Sequence, residues 1–203
     1  MVFVVETSTK VTSKDLEGVK KLIQAFATHH AEKNTVRLGV MTFSKDIQII
    51  RKLQVLNNDG SPVLKRTLTQ LTSEPAIGDA LEEAANHLIQ HTSSSQNNNR
   101  KVIVSIVKTL NNKEIAKARN IVFKMQQRVK DLQVMSIVFD DGVKSNDLLK
   151  VVSPLATVPK ATNILIAPIH VDRLSTSASN KLASKMIKGI ITLLCMILSH
   201  FVP

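Results

Sequence analysis

Aromatic side chains are scarce in this sequence, which has six Phe and neither Trp nor Tyr. A hydrophobic core must therefore be built from Val, Ile, Leu and Ala. The single cysteine, Cys195, excludes an internal disulfide bond and leaves the redox compartment open. With only six glycines, the chain has no Gly-x-Gly-x-x-Gly, Gly-x-x-x-x-Gly-Lys or Gly-x-Ser-x-Gly motif. Phosphate-binding loops and nucleophile elbows are thus missing, and we expect no enzymatic activity.

Acidic residues are also few, since 16 Asp and Glu face 27 Lys and Arg and leave a net charge of +11. Such a charge favours anionic partners such as acidic proteins, glycans, lipids or nucleic acids, without choosing among them. No secretory signal precedes the first predicted strand. The longest apolar stretch, Ile190–Leu198, is too short to cross a bilayer, so we expect no transmembrane segment.

Strand-like and helix-like hydrophobic patterns alternate along the chain. Continuous Val/Ile runs indicate strands that are covered on both faces. The predicted strands are Val2–Val5, Val36–Phe43, Asp46–Lys52, Val102–Val107, Leu132–Phe139 and Asn163–Pro168. The predicted helices are Ser13–His29, Pro62–Leu71, Ile77–His91, Asn112–Lys130, Lys144–Ser153 and Ser177–Leu198. Thr12 and Asp15 have the spacing of a capping box at the start of the first helix.

This order predicts one doubly wound α/β domain with a mostly parallel, six-stranded sheet and helices on both faces. The strand Asp46–Lys52 follows a tight turn and is expected to be an antiparallel edge strand. We assign residues 1–190 to the single domain. Residues 191–203 are assigned to the end of the C-terminal helix and a frayed tail.

Several segments together resemble the von Willebrand factor A (VWA) family. Val36–Ser44 looks like the family's second strand, Val2–Thr9 is similar to its first strand and the loop after it, and Ile77–Leu81 resembles its Thr-Gly-x-Ala-Leu helix start. The similarity spans roughly residues 1–190 and is greatest to A domains of matrix proteins, particularly collagen VI-type chains. The resemblance implies a Rossmann-like fold and an adhesive function without catalysis.

The family's ligand site holds Mg²⁺ or Mn²⁺ through Asp-x-Ser-x-Ser, a Thr and a further Asp. The corresponding positions here are Glu6, Ser8, Lys10, Pro75 and the segment that begins Lys108-Thr109. Oxygen ligands are lost and an ammonium group enters, which lowers the affinity for a divalent cation. We therefore expect a degenerate metal site without a bound ion, closed by a Glu6–Lys10 or Glu6–Lys108 ion pair. The alternative is a remnant Glu6/Ser8 site with a water-rich shell.

Basic residues recur on one side of the predicted helix Asn112–Lys130. Lys113, Lys117, Lys124 and Arg128 fall within a sector of about 60° at about 100° per residue. They form either a patch for acidic glycans or acidic partners, or an ordinary solvated helix face. The stripe has no interleaved stacking aromatics, which argues against nucleic acid as a partner. His87 and His91, four residues apart on another helix, are expected to form a surface pair.

The resemblance implies a secreted, extracellular-matrix module that binds collagens, other matrix proteins or other VWA domains. Binding is expected through the loops Glu6–Lys10, Ser73–Ile77 and Lys108–Asn111, which should converge on one rim at the strand ends. A cytoplasmic VWA scaffold in a multiprotein complex fits the single cysteine and the absence of glycosylation sequons equally well. Anionic-glycan binding by the basic helix is compatible with either.

Overall fold

The computed structural model describes residues 1–31, 36–56, 64, 68–70, 76–91, 101–108, 112–129, 132–140 and 164–168. The strands within these ranges are β1 (Val2–Glu6), β2 (Arg37–Phe43), β3 (Ile47–Val55), β4 (Lys101–Val107), β5 (Leu132–Asp140) and β6 (Ile164–Pro168). The helices are α1 (Ser13–Ala31), α2 (Ile77–Gln90) and α3 (Asn112–Arg128). No helix in these ranges is both long and apolar enough to cross a membrane.

The strands form a six-stranded sheet in the order β3-β2-β1-β4-β5-β6. β1 pairs in parallel with β2 and β4, β5 pairs in parallel with β4 and β6, and only the β2–β3 pair is antiparallel. The predicted fold class is therefore confirmed, including the antiparallel edge strand. β1 and β4 are adjacent and parallel at the centre of the sheet, so their carboxyl ends lie side by side.

Alternate residues of the central strand pack on opposite faces of the sheet. Phe3 and Val5 belong to the core beneath α1, whereas Val2 and Val4 belong to the core beneath α2 and α3. Every residue of β1 is buried, which explains the unbroken apolar run from Val2 to Val5. Helices on both faces thus leave the strand ends as the place where polar groups can cluster.

Several predicted element boundaries differ from the observed ones by one to three residues, and the largest difference is at the end of β3. β3 continues to Val55, beyond the predicted end at Lys52, and its pairing with β2 contains register shifts. The predicted helix Pro62–Leu71 is wrong at its described positions, Leu64 and 68–70, none of which is helical. The predicted helices Lys144–Ser153 and Ser177–Leu198, with Cys195 and the tail 191–203, lie outside the described residues.

Candidate functional site at the strand ends

A buried carboxylate lies at the end of the central strand. Glu6 is only 1% exposed, and it accepts a hydrogen bond from the Ser8 hydroxyl at Oε1. Its second oxygen, Oε2, accepts a 2.7 Å hydrogen bond from the backbone N–H of Lys108. Because Lys108 directly follows β4, this bond joins the ends of two neighbouring parallel strands. Both carboxylate oxygens of Glu6 are therefore engaged by donors of the chain itself.

The Lys108 side chain places a positive charge in the same pocket. Its Nζ lies 2.8 Å from Oδ2 of Asp15, with 12% and 5% of the two side chains exposed. Asp15 also accepts hydrogen bonds from the backbone N–H and the hydroxyl of Thr12, both at 2.8 Å. Burial would raise the pKa of Asp15, but the hydrogen bonds from Lys108 and Thr12 and the charge of Lys108 outweigh it and lower that pKa.

The first turn of α1 is what holds Asp15 in place. The Thr12 hydroxyl accepts a 3.2 Å hydrogen bond from the Asp15 backbone N–H. In return, the Asp15 carboxylate accepts a hydrogen bond from the Thr12 backbone N–H. This reciprocal pair is the capping box that the sequence predicts. The same carboxylate therefore caps the helix and neutralises Lys108.

The predicted ion pair at the strand ends names Lys108 correctly but gives it the wrong partner. The Lys108 ammonium pairs with Asp15, and Glu6 meets Lys108 through the backbone amide instead. Lys10, the other predicted partner of Glu6, is exposed.

Backbone hydrogen bonds hold neighbouring loops together at the carboxyl ends of the strands. The Thr7 N–H donates to Phe43 O at 2.8 Å, and the Ala76 N–H donates to Ser44 O at the same distance. Gln70 Nε2 also donates to Thr9 O at 2.8 Å. The loops after β1 and β2 and the residue before α2 thus share one rim. Pro75 and Thr109, two residues of the predicted site, lie outside the described residues.

The donor set at this edge differs from what Mg²⁺ or Mn²⁺ requires. Hard cations need several oxygen ligands in near-octahedral array. Here Glu6 and Asp15 already accept hydrogen bonds, and the Lys108 ammonium stands between the strand end and α1. Across the described ranges, no group of three or more His, Cys, Asp or Glu side chains is arranged to hold a metal ion. The described side chains at the strand ends therefore do not by themselves make up such an array of oxygen ligands.

The predicted basic patch is exposed on α3, but part of its charge is compensated. Lys117 Nζ lies 2.9 Å from an Asp79 carboxylate oxygen, and the hydrogen bond to Asp79 raises the pKa of Lys117. Arg128 lies 3.9 Å from Glu82 on the same neighbouring helix, α2. The remaining two patch residues, Lys113 and Lys124, are exposed on α3.

His87 is buried, so the prediction of a surface histidine pair is wrong for this residue. It is 4% exposed, and its Nε2 accepts a 3.1 Å hydrogen bond from the backbone N–H of Leu53 on edge strand β3. The His91 ring centroid is 4.4 Å from that of His87. Burial, followed by the nearby His91, lowers the pKa of His87. The neutral ring therefore acts as an acceptor that covers part of the sheet edge.

A doubly wound sheet with an antiparallel edge strand and helices on both faces defines a Rossmann-like α/β domain. Residues 1–166 match the sequence profile of the VWA family, the von Willebrand factor type A domain. The chain belongs to this family, whose members act generally as protein-interaction modules. A search of curated protein sequences gave no match.

Solved structures with the same fold share little sequence with this chain. The vWF domain of the type V pili tip protein Mfa5 from Porphyromonas gingivalis has a TM-score of 0.70 at 11% identity, with 93% of this chain and 95% of that chain covered. The SpRpn10 VWA domain has a TM-score of 0.57 at 15% identity, with 91% and 93% covered. Manganese-loaded Plasmodium vivax TRAP protein has a TM-score of 0.59 at 13% identity, with 87% and 72% covered. At these identities the likeness shows the fold alone.

Proposed function

We propose that this VWA domain is a non-enzymatic module that binds partner proteins through the rim at its strand ends, without a resident divalent cation. The observation that carries the proposal is the Lys108–Asp15 ion pair at 2.8 Å. In effect, the chain supplies its own cation at the edge of the sheet where the family's metal ligands would lie. Recognition then depends on the shape and charge of the rim loops.

Electrostatics supports this proposal because a second cation in the pocket would meet the Lys108 ammonium. Like charges a few ångströms apart repel strongly where water is largely excluded. Metal binding at Glu6 would also compete with the hydrogen bonds that its carboxylate accepts from the Ser8 hydroxyl and the Lys108 backbone N–H. Both costs fall on a site that lacks the family's second Ser, because Lys10 stands there.

We further propose that the partners are extracellular-matrix proteins such as collagens, or other VWA domains, and that the domain is secreted. This finer assignment is supported by the sequence resemblance to collagen VI-type A domains. Two of the similar folds, Mfa5 and the PilB minor pilin from Streptococcus sanguinis, are pilus proteins, which is consistent with adhesion. The chain covers 62% of PilB, so only part of that protein is compared.

A second candidate is a cytoplasmic scaffold within a multiprotein complex. It is favoured by the single cysteine and by the absence of any Asn-x-Ser/Thr sequon, both of which are ordinary for a protein that does not enter the secretory pathway. Both candidates use the same metal-independent rim, so the rim itself can be tested without deciding between them. An upstream signal peptide or flanking Gly-x-y repeats in the full transcript would select the secreted form.

Isothermal titration calorimetry with MgCl₂ and MnCl₂ tests the metal-free rim directly. We expect no saturable heat at millimolar metal, and no effect of Glu6→Ala on that result. Surface plasmon resonance over immobilised collagen VI and matrix extract should give the same affinity with and without EDTA. Saturable binding of one ion per domain, or loss of partner binding in EDTA, would overturn the proposal.

Charge reversal on the rim tests which surface is used. Lys10→Glu changes an exposed rim residue, and Lys52→Glu makes the same change on the exposed side of β3. We expect the Lys10 variant to weaken partner binding and the Lys52 variant to leave it unchanged. Equal effects would indicate a general charge effect and not a rim contact.

A further inference from the structure

We propose that the outer face of α3, centred on Phe123, is a second docking surface that binds an acidic protein segment carrying an apolar side chain. The inference rests on the proposed function only in taking the domain to be a protein-binding module. It concerns the flank of the sheet and not the strand-end rim. The proposal for the α3 surface and the proposal for the strand-end rim can therefore be tested independently.

Phe123 is the most exposed large hydrophobic residue in the described part of the chain. Its exposure is 63%, compared with 45% for Ile49 and 42% for Ile89. The sequence has only six Phe and no other aromatic type, and Phe3, Phe26 and Phe43 are fully buried. The Phe123 ring is therefore largely in contact with water and lacks the favourable free energy that burial of an apolar side chain provides. Rings of this kind are well suited to anchor protein interfaces.

The charges around Phe123 differ from those on the side of α3 that faces α2. There, Lys117 and Arg128 are compensated by Asp79 and Glu82. On the outer side, Arg119 lies one helical turn before Phe123. Lys124, the next residue in the sequence, lies at the border with the basic sector that contains Lys117 and Arg128, and both Arg119 and Lys124 are exposed. Neither cation forms an ion pair with any residue that the structure describes. Phe123 therefore has one cation a helical turn away on its own side and a second at the border of the basic sector.

This combination selects an acidic, partly apolar partner. An acidic glycan would satisfy the cations but would leave the ring without an apolar contact. A second copy of the same face would bring like charges together, which disfavours association. Carboxylates paired with Arg119 and Lys124, around a Leu or Phe packed on the Phe123 ring, would satisfy both features. Aromatic and Arg residues are the types that most often dominate the energy of protein interfaces.

Fluorescence anisotropy with defined peptides tests the inference. The probe is a fluorescein-labelled peptide of Asp and Glu around one central Leu, and the matched probe carries Ser at that position. We expect the Leu probe to bind the wild-type domain. Its affinity should fall as the salt concentration is raised. Phe123→Ser and Arg119→Glu should each reduce its affinity about tenfold, a change typical of an interface anchor.

Two control variants test whether the loss of any exposed apolar side chain, or a change at the strand-end rim, also affects peptide binding. Ile49→Ser removes another exposed apolar side chain, on β3, and Lys10→Glu alters the rim; neither should change peptide affinity. Equal affinity for the Leu and Ser probes, or equal loss in the Ile49 and Phe123 variants, would overturn the proposal. So would tighter binding to phosphatidylserine vesicles than to the peptide, or a dimer by sedimentation that Phe123→Ser abolishes. A fall in thermal stability in Phe123→Ser comparable to that of a core variant would show that the ring is part of the fold.

Discussion

The Lys108 ammonium lies 2.8 Å from the Asp15 carboxylate, although the two residues are 93 positions apart in the sequence. The contact links the residue after β4 to the first turn of α1, across the edge of the sheet. Asp15 is simultaneously the capping residue that accepts from Thr12. One carboxylate thus fixes the start of a helix and neutralises a largely buried cation. The loop after β4 is held to α1 by charge in addition to its pairing with Glu6.

Removing the cation should therefore destabilise the whole domain. Lys108→Met keeps the length of the aliphatic stem but leaves Asp15 buried without its counter-charge. We expect a loss of about 3 kcal/mol in the free energy of unfolding, because an unpaired buried charge costs more than a surface ion pair. Urea denaturation followed by circular dichroism measures this loss.

A double-mutant cycle with Asp15→Asn separates the pair from its parts. The double variant should be more stable than the sum of the two single changes predicts, because each single variant strands one charge. Lys10→Met is the matched control, since Lys10 is exposed. We expect it to change stability by less than about 0.5 kcal/mol. Additive single effects would show that the two side chains do not depend on each other.

Much of the fold could be predicted from sequence because its signals are local. The capping box between Thr12 and Asp15 and the apolar run of β1 both depend on neighbouring residues, and the structure confirms them. The strand order was not predicted, because the rules for parallel connections allow more than one doubly wound order. The end of β3 was misplaced because Lys52 and Gln54 are exposed on an edge strand, where polarity does not mark an end.

The site was harder to predict because its contacts are long-range. Lys108 was identified from its place after β4, but nothing in the local pattern says that its ammonium reaches α1. His87 was expected at the surface because it is spaced with His91. Its helical position lies close to that of Ala80, on the flank of the buried stripe, and this signal could have placed it inside. The acceptor role of its ring depends on β3, which no periodicity reveals.

Restoring three of the family's oxygen ligands should restore a metal site. The triple variant Glu6→Asp, Lys10→Ser and Lys108→Asp replaces the ammonium by a carboxylate and supplies the second Ser. We expect the variant to bind one Mn²⁺ with saturable heat, and the broadening of the free Mn²⁺ electron paramagnetic resonance signal to report the same binding. Lys10→Ser alone, which keeps the Lys108 charge, should bind none. Mn²⁺ binding by wild type and the triple variant with equal affinity would show that Lys108 does not exclude the ion.

Gly78 allows α2 and α3 to approach closely. The effect of replacing it on the stability of the domain should depend on the size of the side chain at position 121, which is Ile121. A Cβ at position 78 would lie 2.9 Å from Ile121 Cδ1. Alanine is favoured over glycine within helices by about 1 kcal/mol, but the crowding opposes this gain. Ile121→Val removes the opposing methyl group. We expect Gly78→Ala to be more stabilising in the Ile121→Val background than in wild type, by up to about 1 kcal/mol in urea denaturation. The same effect in both backgrounds would mean that the helices move apart at no cost.

The buried His87 should make stability depend on pH in a defined window. Its pKa in the unfolded chain is taken as 6.5, and burial lowers it in the folded domain. Above pH 6.5 the ring is neutral in both states, so its contribution to stability is complete. As the pH falls below 6.5, the unfolded state takes up the proton first. Stability is then lost progressively until the folded pKa is reached.

His87→Gln tests this contribution, because the Gln side-chain oxygen can accept the hydrogen bond from the Leu53 N–H without titrating in this range. We expect the unfolding free energy of this variant to fall less between pH 7.5 and 5.5 than that of wild type. His91→Gln serves as the control, since His91 is exposed but lies beside His87. The unfolding free energy of the His91→Gln variant should fall between pH 7.5 and 5.5 nearly as much as that of wild type. The fall should be slightly smaller because the variant lacks the charge of His91 beside His87. Parallel pH profiles for His87→Gln and wild type would show that another group causes the decline.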